Sequence, residues 1–143
     1  MARKKRIVLI GHGKIGSGVL SSVELIYGKL DNVYSVDTYV ETNFNLPEVV
    51  HEIIEKNKNN DLIVITDLFG GSVNNEFLKY IGQDNFYLLT GMNLSLVIEL
   101  VSQLNISENK SVNEIIHHAI SSTKNSIQYF DEESLNKTDD DDF

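Results

Sequence analysis

The strongest constraint on what this chain can fold into is an alternation. Short apolar runs rich in Val, Ile and Leu, at residues 6–10, 33–36, 61–66 and 86–90, are separated by longer segments in which apolar residues return at helical spacing. Parallel strands need long crossover connections, and a helix supplies each one, so this pattern predicts an α/β domain. Residues 6–10 are apolar on both faces once the chain passes Arg6, as a central parallel strand requires. The first helical stripe is Ile15, Val19, Leu20, Val23, Ile26 and Tyr27, with Gly28 as its stop. The second covers residues 47–58, with Pro47 in its first turn. A third helix opens near Ser72, carries Val73, Phe77, Leu78 and Ile81, and stops at Gly82. A fourth opens at Asn93 with Leu94, Val97, Ile98, Val101 and Leu104 on one stripe, and a fifth covers residues 111–123. There Ser111, Val112 and Glu114 resemble a capping box at imperfect register. Residues 126–130 are short and strand-like. The expected fold is an open, mainly parallel sheet of four strands flanked by helices on both faces.

Length and charge refine this. The 143 residues leave room for one domain, expected over residues 1–130, followed by an acidic, disordered tail at 131–143. That tail holds seven acidic residues and one lysine, so it carries −6 of the formal net charge of −9. The body is only mildly acidic. Its one basic cluster, Arg3-Lys4-Lys5-Arg6, reads as a solubilising flank of the first strand, so nucleic-acid binding is not expected. The absence of cysteine excludes a disulfide framework, Cys-ligated zinc and thiol chemistry. No apolar run is long enough to span a bilayer, and the one after the basic start ends at Gly11-His12, so a cytoplasmic protein is expected.

Ligands of open parallel sheets bind beyond the carboxyl ends of the strands. Two segments there carry unusual chemistry. Gly11-His12-Gly13-Lys14-Ile15-Gly16-Ser17-Gly18 follows the first strand, and it fits neither a Walker loop nor the dinucleotide fingerprint. What it offers is a histidine between two glycines, either bonded locally or open to approach by a ligand or a large partner. Asp67-Leu68-Phe69-Gly70-Gly71-Ser72 follows the third strand: Gly70 and Gly71 allow a tight turn, Ser72 is a good N-cap, and the amides beyond it suit an anion. Asp67 reads either as a turn cap or as a carboxylate facing the neighbouring loop. Combined, the two segments suggest a mechanism. A carboxylate that holds the proton on one imidazole nitrogen leaves the other nucleophilic and steadies the cation formed on phosphorylation. Asp67 can do this for His12, while the amides around Gly71 and Ser72 hold the phosphoryl oxygens, with no nucleotide, metal or other cofactor needed.

The residues that carry this chemistry resemble the IIA components of the mannose-type bacterial sugar phosphotransferase system. The resemblance runs from Ile7 to about Leu104. It rests on the first apolar run into Gly11-His12-Gly13, on Thr66-Asp67-Leu68-Phe69-Gly70-Gly71-Ser72, and on Leu89-Thr90-Gly91-Met92-Asn93-Leu94. It implies that His12 carries a phosphoryl group oriented by Asp67, received from the histidine-containing phosphocarrier protein and passed to a separate IIB component. It also implies peripheral association with membrane permease components, and a homodimer in which residues 126–130 add antiparallel to the partner's sheet. Lys14, Leu68, Phe69 and Met92 are the expected partner contacts. The chain departs from the family pattern at Phe69, where Trp is frequent, and at Val73, where Pro is frequent, so a less rigid helix start is expected.

Two other readings remain open on sequence alone. One is the related phosphoryl-donor subunit of a dihydroxyacetone kinase, whose third-strand loop tends toward Met-Gly-Ser. The other is a regulatory module that binds an anion in the same crevice without covalent chemistry. A metal hydrolase is disfavoured, because His51, His117 and His118 lie on expected helices and form no ligand set with a carboxylate.

Overall fold

All four expected strands form in the computed structural model, which describes residues 3–106 and 109–140. In chain order the elements are β1 (Lys5–His12), α1 (Ile15–Tyr27), β2 (Val33–Thr38), α2 (Leu46–Lys56), β3 (Asp61–Thr66), α3 (Ser72–Phe77), β4 (Phe86–Thr90), α4 (Leu94–Ile106), α5 (Val112–Lys124) and α6 (Glu132–Asp140). The strands pair in the order β2-β1-β3-β4, all parallel, with Ile10 opposite Thr66 of β3 and His12 opposite Thr38 of β2. From β1 the chain crosses to β2 on one side, and from β3 it crosses to β4 on the other. Right-handed crossovers therefore place α1 on one face of the sheet and α2 and α3 on the opposite face. The packing agrees. Val8, Ile10, Leu62 and Val64 form one cluster with Val50, Ile53 and Ile54 of α2 and Val73 and Phe77 of α3. The alternate residues Ile7, Leu9, Ile63 and Ile65, which point to the other face, are also fully buried. Burial on both faces is why these strands are continuous apolar runs.

Local chemistry explains several boundaries. Asn45 caps α2 by accepting from the Glu48 N–H at 3.1 Å, Pro47 lies in the first turn, and Glu48 and Lys56 match the two ends of the helix dipole. Ser111 caps α5 by accepting from the Glu114 N–H at 3.1 Å, so the capping signal is in correct register after all. The third helix is shorter than its apolar stripe predicts: α3 ends at Phe77, and Leu78–Tyr80 form a single 3₁₀ turn. Val73 is fully buried, so a β-branched core contact anchors the helix start.

The chain forms two compact units, residues 1–98 and 99–143, and the dividing point lies inside α4 rather than in a linker. The first unit holds the sheet with α1, α2 and α3. In the second, Leu100, Val101, Val112, Ile115 and Ala119 are the buried apolar residues.

Two expectations for the C-terminal region need correction. Residues 126–130 form no strand in this chain: Ile127 and Tyr129 are each 82% exposed, and the sheet pairs only β1 to β4. A strand forms only by pairing with another backbone edge, and the sheet order β2-β1-β3-β4 does not include this segment. The expected disordered tail is helical over Glu132–Asp140. The Asp131 carboxylate accepts from the Ser134 N–H at 2.8 Å while the Ser134 hydroxyl accepts from the Asp131 N–H at 2.7 Å. This reciprocal cap, with Glu132 and Glu133 at the positive end of the dipole, starts a helix that apolar periodicity does not announce. Residues 141–143, the end of that expected tail, lie outside the described residues. Among the described residues, no helix is long and apolar enough to cross a membrane.

Candidate functional site

Because consecutive crossovers leave β1 and β3 in opposite directions, the carboxyl ends of these two neighbours form the topological switch point of the sheet. His12 is the last residue of β1, not a loop residue: the ladder to β2 continues through Gly11 and His12. Asp67 follows the last residue of β3. The register that pairs Ile10 with Thr66 therefore sets the two side chains next to each other.

Their contact is two-pronged. Asp67 Oδ2 accepts from the His12 backbone N–H at 2.8 Å and lies 2.9 Å from Nδ1 of the same residue. The Asp67 side chain is only 11% exposed, whereas that of His12 is 44% exposed. Burial pushes the Asp67 carboxyl up, but the two hydrogen bonds and the charge attraction from His12 outweigh it and hold the group below the ordinary carboxylate range. An ionised Oδ2 can only accept, so Nδ1 carries the ring proton and Nε2 carries the lone pair. Nε2 faces the hydroxyl of Ser72 at 3.3 Å. In the neutral ring Nε2 is an acceptor, which makes Ser72 the donor in that contact.

Gly11 makes the approach of Asp67 feasible. A Cβ there would stand 2.8 Å from both Cβ and Cγ of Asp67 and 2.5 Å from Cγ2 of Ile15. The glycine before His12 thus leaves room for the Asp67 carboxylate. We expect Gly11→Ala to destabilise the fold by about 1–3 kcal/mol, as overpacking typically does, and to displace Asp67 from Nδ1. Thermal unfolding reads the first effect; loss of the low-field Nδ1 proton resonance reads the second.

The remaining expected site residues are placed unequally. Gly70 has φ +75°, a left-handed turn that glycine adopts without strain, and its carbonyl accepts from the Asn75 side chain at 3.1 Å. Gly71, not Ser72, is the N-cap of α3, and its N–H donates to the Leu68 carbonyl at 3.0 Å. The amide of Gly71 is therefore committed to the turn, while Ser72, as the first helical residue, has an amide with no intrahelical acceptor. Released from capping, the Ser72 hydroxyl is the group aimed at His12. Lys14, Leu68 and Phe69 are exposed, Leu68 to 59% and Phe69 to 85%. Met92 is not available for contact: it is 7% exposed, and its N–H donates to the Thr66 carbonyl at 3.0 Å. Its chain position beyond β4 suggests an edge residue, but the apolar side chain turns into the core.

The match with known proteins now decides the family. The family model EIIA-man, described as the PTS system fructose IIA component, matches residues 6–120. The chain belongs to this family. As a mannose-type IIA component of the sugar phosphotransferase system, it shares its architecture with solved relatives. It is 36% identical to a Klebsiella pneumoniae protein assigned to the phosphoenolpyruvate-dependent sugar phosphotransferase system permeases, with a TM-score of 0.83, covering 90% of this chain and 93% of that one. It is 26% identical to the phosphotransferase system component EIIA of Streptococcus agalactiae, with a TM-score of 0.74 over 88% of this chain and 97% of that one. A sorbose-specific EIIA component of Lacticaseibacillus casei is 27% identical over 139 residues, 96% of this chain and 99% of its own length.

One residue beside His12 in this IIA component escaped the sequence reading. Tyr39, immediately after β2, stacks its ring on the His12 imidazole with centroids 5.5 Å apart and planes 19° apart. Its hydroxyl lies 2.9 Å from Ser72 Oγ. The available signal was positional, since the residue after a strand adjacent to β1 shares its carboxyl edge, but that adjacency depends on sheet order.

Proposed function

We propose that this IIA component is a phosphoryl carrier of sugar uptake that accepts phosphate on His12 Nε2 from the histidine-containing phosphocarrier protein and passes it to a IIB component. The observation that carries this reading is the double contact of Asp67 Oδ2 with the His12 N–H and Nδ1, which leaves Nε2 as the free nucleophile. In the transfer the Nε2 lone pair forms the new N–P bond, while the electrons of the donor's N–P bond return to the donor. Nδ1 keeps its proton, so the ring becomes cationic, and the Asp67 carboxylate stabilises it where the charge develops. The Ser72 hydroxyl and amide supply donors to the phosphoryl oxygens, and Gly70 and Gly71 shape the turn that presents them.

Incubation with phosphoenolpyruvate, enzyme I and the phosphocarrier tests the reading. The expected result is acid-labile phosphate mapped by mass spectrometry to His12. A chain that gains none is an anion-binding module instead, and phosphate on another residue refutes the assignment.

Carriers must dock and separate quickly, which favours a small interface with an apolar centre. Lys14, Leu68 and Phe69, on the segments that carry His12 and Asp67, supply it. We expect Phe69→Ala to raise the half-saturating concentration of either partner about tenfold, the usual loss for an aromatic anchor. Deleting residues 131–143 should cost less, and raising salt should slow the intact chain only mildly. Stopped-flow transfer at two salt concentrations checks both; a larger loss from the deletion would make the acidic segment the docking element.

For the assembly we propose a dimer in which residues 126–130 of each chain add antiparallel to an open edge of the partner's sheet, whose order leaves β2 and β4 as edge strands. Light scattering should give twice 16.1 kDa for the intact chain and a monomer or aggregate after truncation at Thr123.

A further inference from the structure

Tyr39 stands in a conformation that bulky residues rarely adopt, with φ +59°. Such an outlier persists only where its surroundings over-determine it, and here they do. Thr38, the residue before it, exchanges backbone hydrogen bonds with Gly13, at 2.9 Å to its carbonyl and 3.3 Å from its N–H, and its hydroxyl donates to the Gly11 carbonyl at 2.8 Å. These bonds tie the end of β2 to both sides of His12 and turn the chain so that the Tyr39 ring crosses over the imidazole. Phe44 supports that ring edge-on, with centroids 5.1 Å apart. Tyr39 remains 51% exposed, so burial alone does not account for its place.

The hydroxyl completes a directed chain of hydrogen bonds. Nδ1 donates to Asp67, so Nε2 must accept; Ser72 has a single hydroxyl proton, and the Nε2 contact uses it. The remaining bond, between Ser72 Oγ and the Tyr39 hydroxyl, therefore has Tyr39 as donor. We propose that Tyr39 is a positioning residue for phosphoryl transfer, its ring fixing the His12 plane and its hydroxyl forcing the Ser72 proton toward the space in front of Nε2. The proposal rests on the reading of His12 as the phosphoryl acceptor. When the Nε2–P bond forms, Ser72 gives up its contact with the nitrogen and donates to a phosphoryl oxygen. Tyr39 continues to occupy an acceptor site on Ser72 Oγ, so the Ser72 proton stays directed outward through the transfer. Hydrogen bonds in such a chain polarise one another, which strengthens the Ser72 donor where negative charge gathers.

The test separates ring, hydroxyl and docking. Transfer from the phosphorylated phosphocarrier is followed by rapid quench over a range of carrier concentrations for the full chain and for Tyr39→Phe, Tyr39→Gly, Ser72→Ala and the Ser72→Ala/Tyr39→Phe double variant. Tyr39→Phe should lower the limiting rate about three- to tenfold, the effect of one hydrogen bond, with the half-saturating concentration unchanged. Tyr39→Gly, which suits the positive φ and so keeps the backbone, should lower it further because the ring is also lost. In the Ser72→Ala background, Tyr39→Phe should change the rate less than twofold, since its hydroxyl then has nothing to direct. A wild-type rate for Tyr39→Phe, an equal loss with and without Ser72, or a change confined to half-saturation would each overturn the proposal. A wild-type chain that takes no phosphate on His12 would overturn the underlying reading instead, and that result comes from the wild type alone.

Discussion

His12→Ala should abolish phosphoryl acceptance while the protein still unfolds cooperatively within a few degrees of the wild type. The loss is complete because no neighbour substitutes for the nucleophile: Ser72, the nearest hydroxyl to Nε2, has no base of its own once the imidazole is gone. The small stability effect follows from what the ring touches. Its side chain is 44% exposed and makes one stacked aromatic contact, worth about 0.5–1.5 kcal/mol, while its hydrogen bonds to Asp67 and Ser72 are at an exposed site where water replaces them. The backbone N–H of residue 12 still donates to Asp67, since alanine keeps that group. A shift of roughly 2–8 °C in the midpoint is the corresponding range. Labelled phosphate on the variant would move the acceptor elsewhere, and a collapse of the unfolding transition would show that His12 is structural.

Asp67→Asn should keep the tautomer and lose the charge. The His12 N–H is an obligate donor, so the amide oxygen must take the Oδ2 position and still accepts from Nδ1. The amide nitrogen then occupies the position of Oδ1, which is buried and has no hydrogen-bond partner among the described residues. Burying unsatisfied donors there costs about 1–3 kcal/mol of stability. Replacing a charge-assisted hydrogen bond by a neutral one, just as the imidazole becomes cationic, should slow transfer about 10- to 100-fold. Nitrogen chemical shifts report the tautomer, and rapid quench reports the rate.

The same pair has a defined pH signature. The folded-state pKa of Asp67 is lowered from 3.8, so its ionised form is favoured by folding. That contribution is fully present above the unfolded value and is lost as pH falls through the lower folded value. The stability gap between wild type and Asp67→Asn should therefore narrow as pH drops below 3.8. Urea unfolding of both proteins between neutral and acid pH measures it. A gap that widens on acidification would mean that Asp67 is not held ionised by His12.

Much of this molecule was legible in the chain because secondary-structure periodicity is local. The strands and the first five helices follow from apolar spacing, and His12 and Asp67 stand out because each lies two residues past the last Ile of an apolar run. Errors gathered where short-range polar geometry outweighs periodicity. The α6 helix starts from the Asp131 and Ser134 cap despite its acidic sequence, and Ser72 looked like an N-cap until the backbone placed Gly71 there.

By itself the sequence determined a parallel α/β domain with a histidine and a carboxylate at the carboxyl edge of two strands. The reason is that buried parallel strands and amphipathic helices each impose their own period on the residues that form them. The tertiary structure alone decided that β1 lies between β2 and β3, and everything at the site depends on that order. Neighbouring β3 gives His12 its carboxylate, and neighbouring β2 lays Tyr39 across its ring. It also decided that Met92 turns inward and that the Ser72 hydroxyl meets Nε2. Such contacts join residues 27 to 60 positions apart, and no local pattern encodes which strand will pair with which or where a side chain will point when they do.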